Sequence, residues 1–254
     1  MTVSLITAPP AGGKTQYCIE KILGIRAADP FAPVRVIVSD KLQMAYWKRR
    51  LAAVRGKNGQ AGGVIGLEVI SFAKLAMQIL EASAESPLPV QSRLDSLCLA
   101  EAAGRAASER PFEYFGPILG KAGVLPLFEK TLRELQRRCI LPEDLERYGA
   151  GDPKLADTTR VYREYLMLMR ERGWIGNAGL LTAAADALEQ GTAGDFRCPL
   201  LVVDGFDELT EDCLRLLNAL SPECKEILIT LPELSGADGG RSASSDEQIG
   251  RAHV

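Results

Sequence analysis

The sequence predicts an α/β protein, a parallel β-sheet with helices on both faces, interrupted by an all-helical insertion subdomain. Three observations predict it. Apolar runs, mostly rich in β-branched residues, recur near residues 3–6, 34–39, 67–70, 200–203 and 226–231. They lack the polar alternation of a half-exposed strand, which is how strands buried on both faces read. Segments of helical spacing follow the first three runs, at 17–23, 41–54 and 72–80, as the crossovers of a parallel sheet require. Between residue 86 and about 191 the strand signals vanish and helical periodicity takes over. The expected division is therefore a sheet domain from residues 1–85 and 196–234, a helical insertion at 86–195, and a tail at 235–254.

The first run, Val3-Ser4-Leu5-Ile6, passes through Thr7-Ala8-Pro9-Pro10-Ala11-Gly12-Gly13 into Lys14-Thr15-Gln16 and a helix. That order, strand then Gly-rich turn then helix, is the context of a phosphate-binding loop, whose pattern is G-x-x-x-x-G-K-[ST]. Gly13-Lys14-Thr15 matches it, and Ala8 stands where the first glycine belongs. Backbone N–H groups of such a loop must approach phosphate closely, so bulk is excluded there, and the helix N-terminus behind adds positive potential. The expected architecture is thus of the P-loop NTPase type. Ala11, Gly12, Gly13, Lys14, Thr15 and Gln16 are the candidate ATP-binding residues. Lys14 is expected to neutralise the terminal phosphates and the Thr15 hydroxyl to hold Mg²⁺. The competing reading is a Gly-Lys-Thr helix start with no ligand.

A Pro-rich turn, Asp29-Pro30-Phe31-Ala32-Pro33, precedes the second strand. The helix at 41–54 offers Leu42, Ala45, Tyr46 and Leu51 for an inner face, and residues 56–66 are too glycine-rich for anything but loop. Ser71 is placed to cap the helix that follows the third strand. In the insertion, helices are expected at 91–108, at 125–138 with Leu127, Phe128, Leu132 and Leu135 on one stripe, and briefly at 141–145 with Pro142 in the first turn. A further one at 158–172 carries Val161, Tyr165, Leu168 and Met169 at helical spacing. These aromatic and methionine stripes read as core. The sheet returns at residues 198–208, where Leu200-Leu201-Val202-Val203 ends in Asp204. A carboxylate at the carboxyl end of a central strand is where a second nucleotide motif supplies its Mg²⁺ partner, so Asp204 joins Thr15 as a candidate metal residue. Taken alone, Asp204 also reads as an ordinary aspartate in a strand-to-turn junction. Thr210 caps a helix at 211–220, with Glu211 and Asp212 suited to its first turn.

Composition narrows the classes. The 254 residues are 46% apolar and 25% charged, with a net charge of −3. This excludes a chain coated in basic residues, though not a local basic groove. No run of 18 apolar residues occurs, so no membrane span is expected, and the absence of a charged leader points to a cytoplasmic protein. Six cysteines, Cys18, Cys98, Cys139, Cys198, Cys213 and Cys224, form no C-x-x-C pair or zinc spacing and read as reduced and structural. His253 is the only histidine, so histidine-based catalysis is not expected. The tail from Ser235 is Gly/Ser/Asp-rich, and Ile249-Gly250-Arg251-Ala252-His253-Val254 looks like the translation of a sequencing-library adapter. The expectation is a disordered or artefactual tail on a protein that continues further.

A P-loop, a strand and helix, a helical insertion and a late Asp-bearing strand together resemble the first domain of superfamily 1 helicases. Four stretches sharpen the resemblance to the B-subunit family of bacterial AddAB-type helicase–nucleases. They are Ala11-Gly12-Gly13-Lys14-Thr15, then Val69-Ile70-Ser71-Phe72-Ala73-Lys74-Leu75-Ala76, then the segment from Leu132 to Pro142-Glu143-Asp144-Leu145, and Val203-Asp204-Gly205-Phe206. The resemblance covers residues 1 to about 235 and implies an ATP- and DNA-binding, helicase-like portion of a subunit that processes DNA double-strand ends for recombinational repair. It implies a motor helicase/nuclease A subunit as partner. It also implies a nuclease and an iron–sulfur cluster that belong to a C-terminal part outside this chain. One departure matters. Where a motor has a glutamate beside its Mg²⁺-binding aspartate, this chain has Gly205, so slow ATP hydrolysis is expected. Lys48-Arg49-Arg50 with Arg55 and Lys57 is the candidate DNA-contacting cluster, against the plainer reading of a solvated helix face. The rival functions are a free-standing P-loop ATPase or kinase and a non-catalytic scaffold with a vestigial P-loop.

Overall fold

The computed structural model describes residues 2–53, 66–83, 87–149, 151–233 and 252–253. The elements run β1 (Thr2–Ala8), α1 (Lys14–Ala28), β2 (Val34–Val38), α2 (Lys41–Ala52), β3 (Leu67–Ile70), α3 (Phe72–Glu81), β4 (Leu88–Pro89) and α4 (Ser92–Glu109). They continue through α5 (Val124–Arg137), α6 (Pro142–Tyr148), α7 (Pro153–Glu171), β5 (Trp174–Ile175) and α8 (Leu180–Glu189). The last are β6 (Cys198–Asp204), α9 (Glu211–Leu220), β7 (Cys224–Pro232) and β8 (Ala252–His253). Two compact units form: a sheet unit (Met1–Leu75, Asp195–Leu209 and Leu217–Val254) and a helical unit (Ala76–Gly194 and Thr210–Leu216).

In the sheet unit the strand order is β3-β2-β6-β7-β1-β8, all parallel except for β8, which runs antiparallel to β1. Strands β2, β6 and β7 are all interior to the sheet, and the continuous apolar runs of β2 and β6 follow from burial on both faces. Val34, Val36 and Val38 with Leu200 and Val202 face α1 and α2, where Cys18, Ile19, Ile22, Trp47 and Leu51 complete the core. Ile37, Leu201, Val203 and Ile227 point the other way and are equally buried. The two-residue period of β6 puts Asp204 on the same face as Leu200 and Val202, and that of β7 puts Thr230 in line with Leu228. Val38 pairs with Asp204, and Ala8 pairs with Pro232, so the ends of β1, β2, β6 and β7 share one edge. Since β7 lies between β1 and β6, residues from the P-loop strand and from the Asp204 strand meet across an intervening strand.

The helical unit is held by α4, α5 and α7. Cys98, Ala102, Ala103 and Ala106 form a small-residue stripe on α4, flanked by Leu99, against which α7 packs Val161, Tyr162, Tyr165 and Leu168. Phe128 of α5 closes the core against Phe115, their ring centroids 4.7 Å apart. Asp152 caps α7 through the N–H groups of Lys154 and Leu155, which moves its start to Pro153, ahead of the expected residue 158.

Several expectations are corrected. Leu42 is 82% exposed and Tyr46 38% exposed; the inner face of α2 is Trp47 and Leu51. Asp40 caps that helix and starts it shortly after β2, which sets the rotation. Leu127 is exposed, and Gln136 is buried in its stead on the α5 stripe. The insertion is not purely helical, since β4 and β5 pair in parallel, and α8 adds a helix that the sequence reading lacked. Arg55, Lys57, Leu234 and, of the tail, residues 235–251 and 254 lie outside the described residues. Among the described residues no helix is long and apolar enough to cross a membrane.

Candidate functional site

The loop between β1 and α1 is built by close approach. The N–H of Gly12 donates to the carbonyl of Pro9 at 3.0 Å. A Cβ at Gly12 would lie 2.9 Å from that oxygen and 3.0 Å from the Ala8 Cβ, so only glycine closes this turn. Gly13 takes φ +84° as the N-cap of α1, a left-handed position that glycine occupies without strain. Ala11 also sits at φ 63°, where a side chain costs about 1–2 kcal/mol. The chain thus holds a strained non-glycine residue in the loop, a feature that clusters at ligand-binding turns.

The start of α1 differs from the starts of α2 and α7. Those two carry aspartate caps, whereas α1 has no side-chain cap and no acidic residue in its first turn. Its leading N–H groups and positive end of the helix dipole are therefore left for an outside acceptor. The Lys14 ammonium folds back onto the carbonyl oxygens of Ala8 and Pro9, so the cation stands over the loop. Gln16 is exposed and bridges Glu20, at 2.8 Å, and Arg50, whose guanidinium also lies over the Tyr46 ring.

Thr15 turns the other way, into the sheet. Its hydroxyl donates to Oδ2 of Asp204 at 3.0 Å. The same oxygen accepts the indole N–H of Trp47 at 2.8 Å, and Oδ1 accepts the Thr230 hydroxyl. Asp204 is 3% exposed, and all three of its partners are neutral. The structure therefore brings together Ala11, Gly12, Gly13, Lys14, Thr15, Gln16 and Asp204 at one edge of the sheet. It adds two residues that the sequence reading missed. Trp47 is not among the residues expected on the inner face of α2, and Thr230 lies in the apolar run at 226–231 without a role of its own. The signal available for Thr230 was strand alternation, which sets it two residues after Leu228 on the same face.

The donor set suits a small hard cation. Mg²⁺ takes few protein ligands and keeps several waters beside substrate phosphates. The Thr15 hydroxyl spends its proton on Asp204, which leaves its oxygen lone pairs uncommitted. Asp204, with three donors on its two oxygens, keeps limited acceptor capacity. Softer metal chemistry lacks a site here: among the described residues no group of three or more His, Cys, Asp or Glu side chains converges. The cysteines are all free thiols. The thiol of Cys18, on the buried face of α1, is pushed up to about 12, first by burial and then by the charge of Asp204.

Next to Asp204, Gly205 adopts φ +83°, and a Cβ there would stand 3.1 Å from the Gln43 side chain. A side chain at this position, which a motor gives to glutamate, would be strained by conformation and would press on Gln43. Asp207 and Glu208 are exposed, and Phe206 stacks edge-on against Phe72 with centroids 5.3 Å apart. Lys48, Arg49 and Arg50 are all exposed on α2.

Comparison with known proteins bears on this geometry. The chain matches the family described as "ADDB, N-terminal" over residues 5–246. It is 26% identical over 245 residues to the B subunit of the ATP-dependent helicase/deoxyribonuclease of Moorella thermoacetica, covering 91% of this chain and 20% of that protein. The proteins of the same name from Bacillus pumilus and Bacillus subtilis are 26% and 24% identical, over 87% and 91% of this chain and 19% and 20% of their own lengths. The chain spans about a fifth of the length of the curated relatives it matches. A family match that runs through the P-loop, the helical unit and the Asp204 strand alike leaves one conclusion: the chain belongs to the ADDB N-terminal family.

Proposed function

We propose that this chain is the ATP- and DNA-binding, helicase-like portion of the B subunit of a helicase/deoxyribonuclease, acting on DNA double-strand ends with a motor A subunit. The observation that carries the nucleotide part is the Thr15–Asp204 hydrogen bond, which joins the P-loop to the end of β6. The uncapped α1 N-terminus and Lys14 suit the phosphates. Thr15, with Asp204 behind it, would hold Mg²⁺, whose role when bound is to neutralise charge on the phosphate oxygens. The names of the relatives, which specify ATP dependence, support the same reading. DNA contact is supported by the exposed Lys48, Arg49 and Arg50, which suit backbone phosphates.

Hydrolysis is a separate matter. With Gly205 in the position of the water-orienting acid, the site is suited to hold nucleotide longer than to turn it over, so the partner would supply most of the motor power. Absence of one such group costs about 10²–10³ in rate.

The test is the affinity of this chain for ATP with Mg²⁺, before and after Lys14→Ala. We expect a loss of about 10–100-fold, the scale of one charge-assisted contact. Unchanged affinity would establish the P-loop as vestigial and the chain as a scaffold. Phosphoryl transfer to a small acceptor, abolished by the same change, would favour a kinase.

A further inference from the structure

We propose that Trp47 is a positioning residue of the nucleotide–Mg²⁺ site, its indole N–H orienting the Asp204 carboxylate so that it takes the Thr15 proton. The inference rests on the nucleotide reading and deepens it.

Trp47 is completely buried within the sheet core. A hydrophobic core position could be filled by Phe or Leu with no polar atom to satisfy. An indole N–H is a donor only, and burying it unpaired is costly, so its partner is a constraint on the whole residue. Here the partner is Asp204, reached across 157 positions of sequence at 2.8 Å. It is moreover the same oxygen, Oδ2, that Thr15 uses at 3.0 Å. Thr230 occupies Oδ1. With donors on both oxygens, the carboxylate cannot rotate about its terminal bond without breaking at least one contact.

The consequence falls on Thr15. A threonine hydroxyl has one proton and two lone pairs, and its rotor chooses where each points. If Asp204 is fixed, the proton goes to Asp204 and the lone pairs remain available for a cation. If Asp204 is free to turn, the hydroxyl can instead donate to a phosphate oxygen, and the cation loses a prepared ligand. Trp47 is therefore assigned to the Mg²⁺-dependent part of nucleotide affinity. The Mg²⁺-independent part belongs to Lys14 and the loop amides.

The chain carries two tryptophans, Trp47 and Trp174, which makes the test direct. In a Trp174→Phe chain, Trp47 is the only indole emitter. Its fluorescence is to be followed on adding ATP in EDTA, then ATP with Mg²⁺, then Mg²⁺ alone. In parallel, affinity for a fluorescent ATP analogue is measured with and without Mg²⁺ for this chain and for Trp47→Phe, which keeps an aromatic ring in the core but removes the N–H. We expect Trp47→Phe to bind the analogue in EDTA within about twofold of the parent while losing about tenfold of the gain that Mg²⁺ brings, the scale of one hydrogen bond to a charged group. We also expect an emission change specific to Mg²⁺ with ATP. An equal Mg²⁺ gain in both chains would overturn the proposal and leave Trp47 as core filling. Should Trp47→Phe not fold, the emission experiment decides by itself: a change with ATP and Mg²⁺ that neither ATP in EDTA nor Mg²⁺ alone produces supports the role, and no Mg²⁺-specific change overturns it. If the parent binds the analogue under neither condition, the nucleotide reading fails first and takes this inference with it.

Discussion

Two buried aspartates, Asp204 in the sheet unit and Asp157 in the helical unit, are both 3% exposed, and each accepts three hydrogen bonds. The donors differ in kind. Asp157 takes the backbone N–H groups of Glu113, Tyr114 and Phe115, consecutive residues of one connection, and Arg160 stands 3.8 Å away. Asp204 takes side chains from α1, α2 and β7 and has only neutral partners. The first arrangement satisfies amides that would otherwise be orphaned and answers the charge with a guanidinium. It is a clasp for a loop, spent inside the fold. The second has only neutral hydrogen-bond partners, one of them in the first turn of α1. Burial alone does not distinguish the two residues; donor type and charge compensation do.

The largest expected effect breaks the clasp. Asp157→Ala leaves three amides without their acceptor and Arg160 without its carboxylate, and should cost about 3–5 kcal/mol, read as a drop in the thermal or urea midpoint. Nucleotide affinity at temperatures where the chain is folded should not change. Asp204→Asn should do the reverse. The amide oxygen can still accept from Trp47, and removing a buried, uncompensated charge relieves a desolvation cost, so stability should stay within about 1 kcal/mol. The Mg²⁺-dependent gain in ATP affinity should vanish. If Asp204→Asn unfolds the chain as Asp157→Ala does, both aspartates are structural clasps and donor type does not separate them. The smallest effect concerns Cys18, whose thiol is raised chiefly by burial and secondarily by the Asp204 charge. Asp204→Asn removes the second cause, so the Cys18 pKa should move down and its alkylation at pH 10 should speed up modestly. Burial persists, so the reaction should stay slow in both. An unchanged rate would mean that burial alone sets the Cys18 thiol.

Much of the sheet was legible because its evidence is local. The strand runs, the Gly12-Gly13-Lys14-Thr15 turn and the Asp204 terminus each show in a short window, since apolar runs, glycine and a helix start have local causes. Gly205 was legible as a departure, and the structure supplies its reason in a positive φ and the nearness of Gln43. Faces were harder to read. Spacing in α2 fits an inner stripe of Leu42, Ala45, Tyr46 and Leu51 as easily as one of Trp47 and Leu51. The helix period admits several rotations, and the Asp40 cap together with the demand of Asp204 for a donor selects one. On α5, Leu127 loses to Gln136 in the same way.

By itself, then, the sequence determined which segments are the five parallel strands of the sheet, where the phosphate-loop turn lies and which aspartate ends β6, because backbone preference and apolar periodicity act over a few residues; the short strands β4, β5 and β8 escaped it. Only the tertiary structure decided that β7 separates β1 from β6, and that Trp47 and Thr230 close on the Asp204 carboxylate while Thr15 completes the set. Those contacts join residues 26 to 189 positions apart, and a hydrogen bond at that separation depends on strand order and helix rotation, which no local pattern encodes.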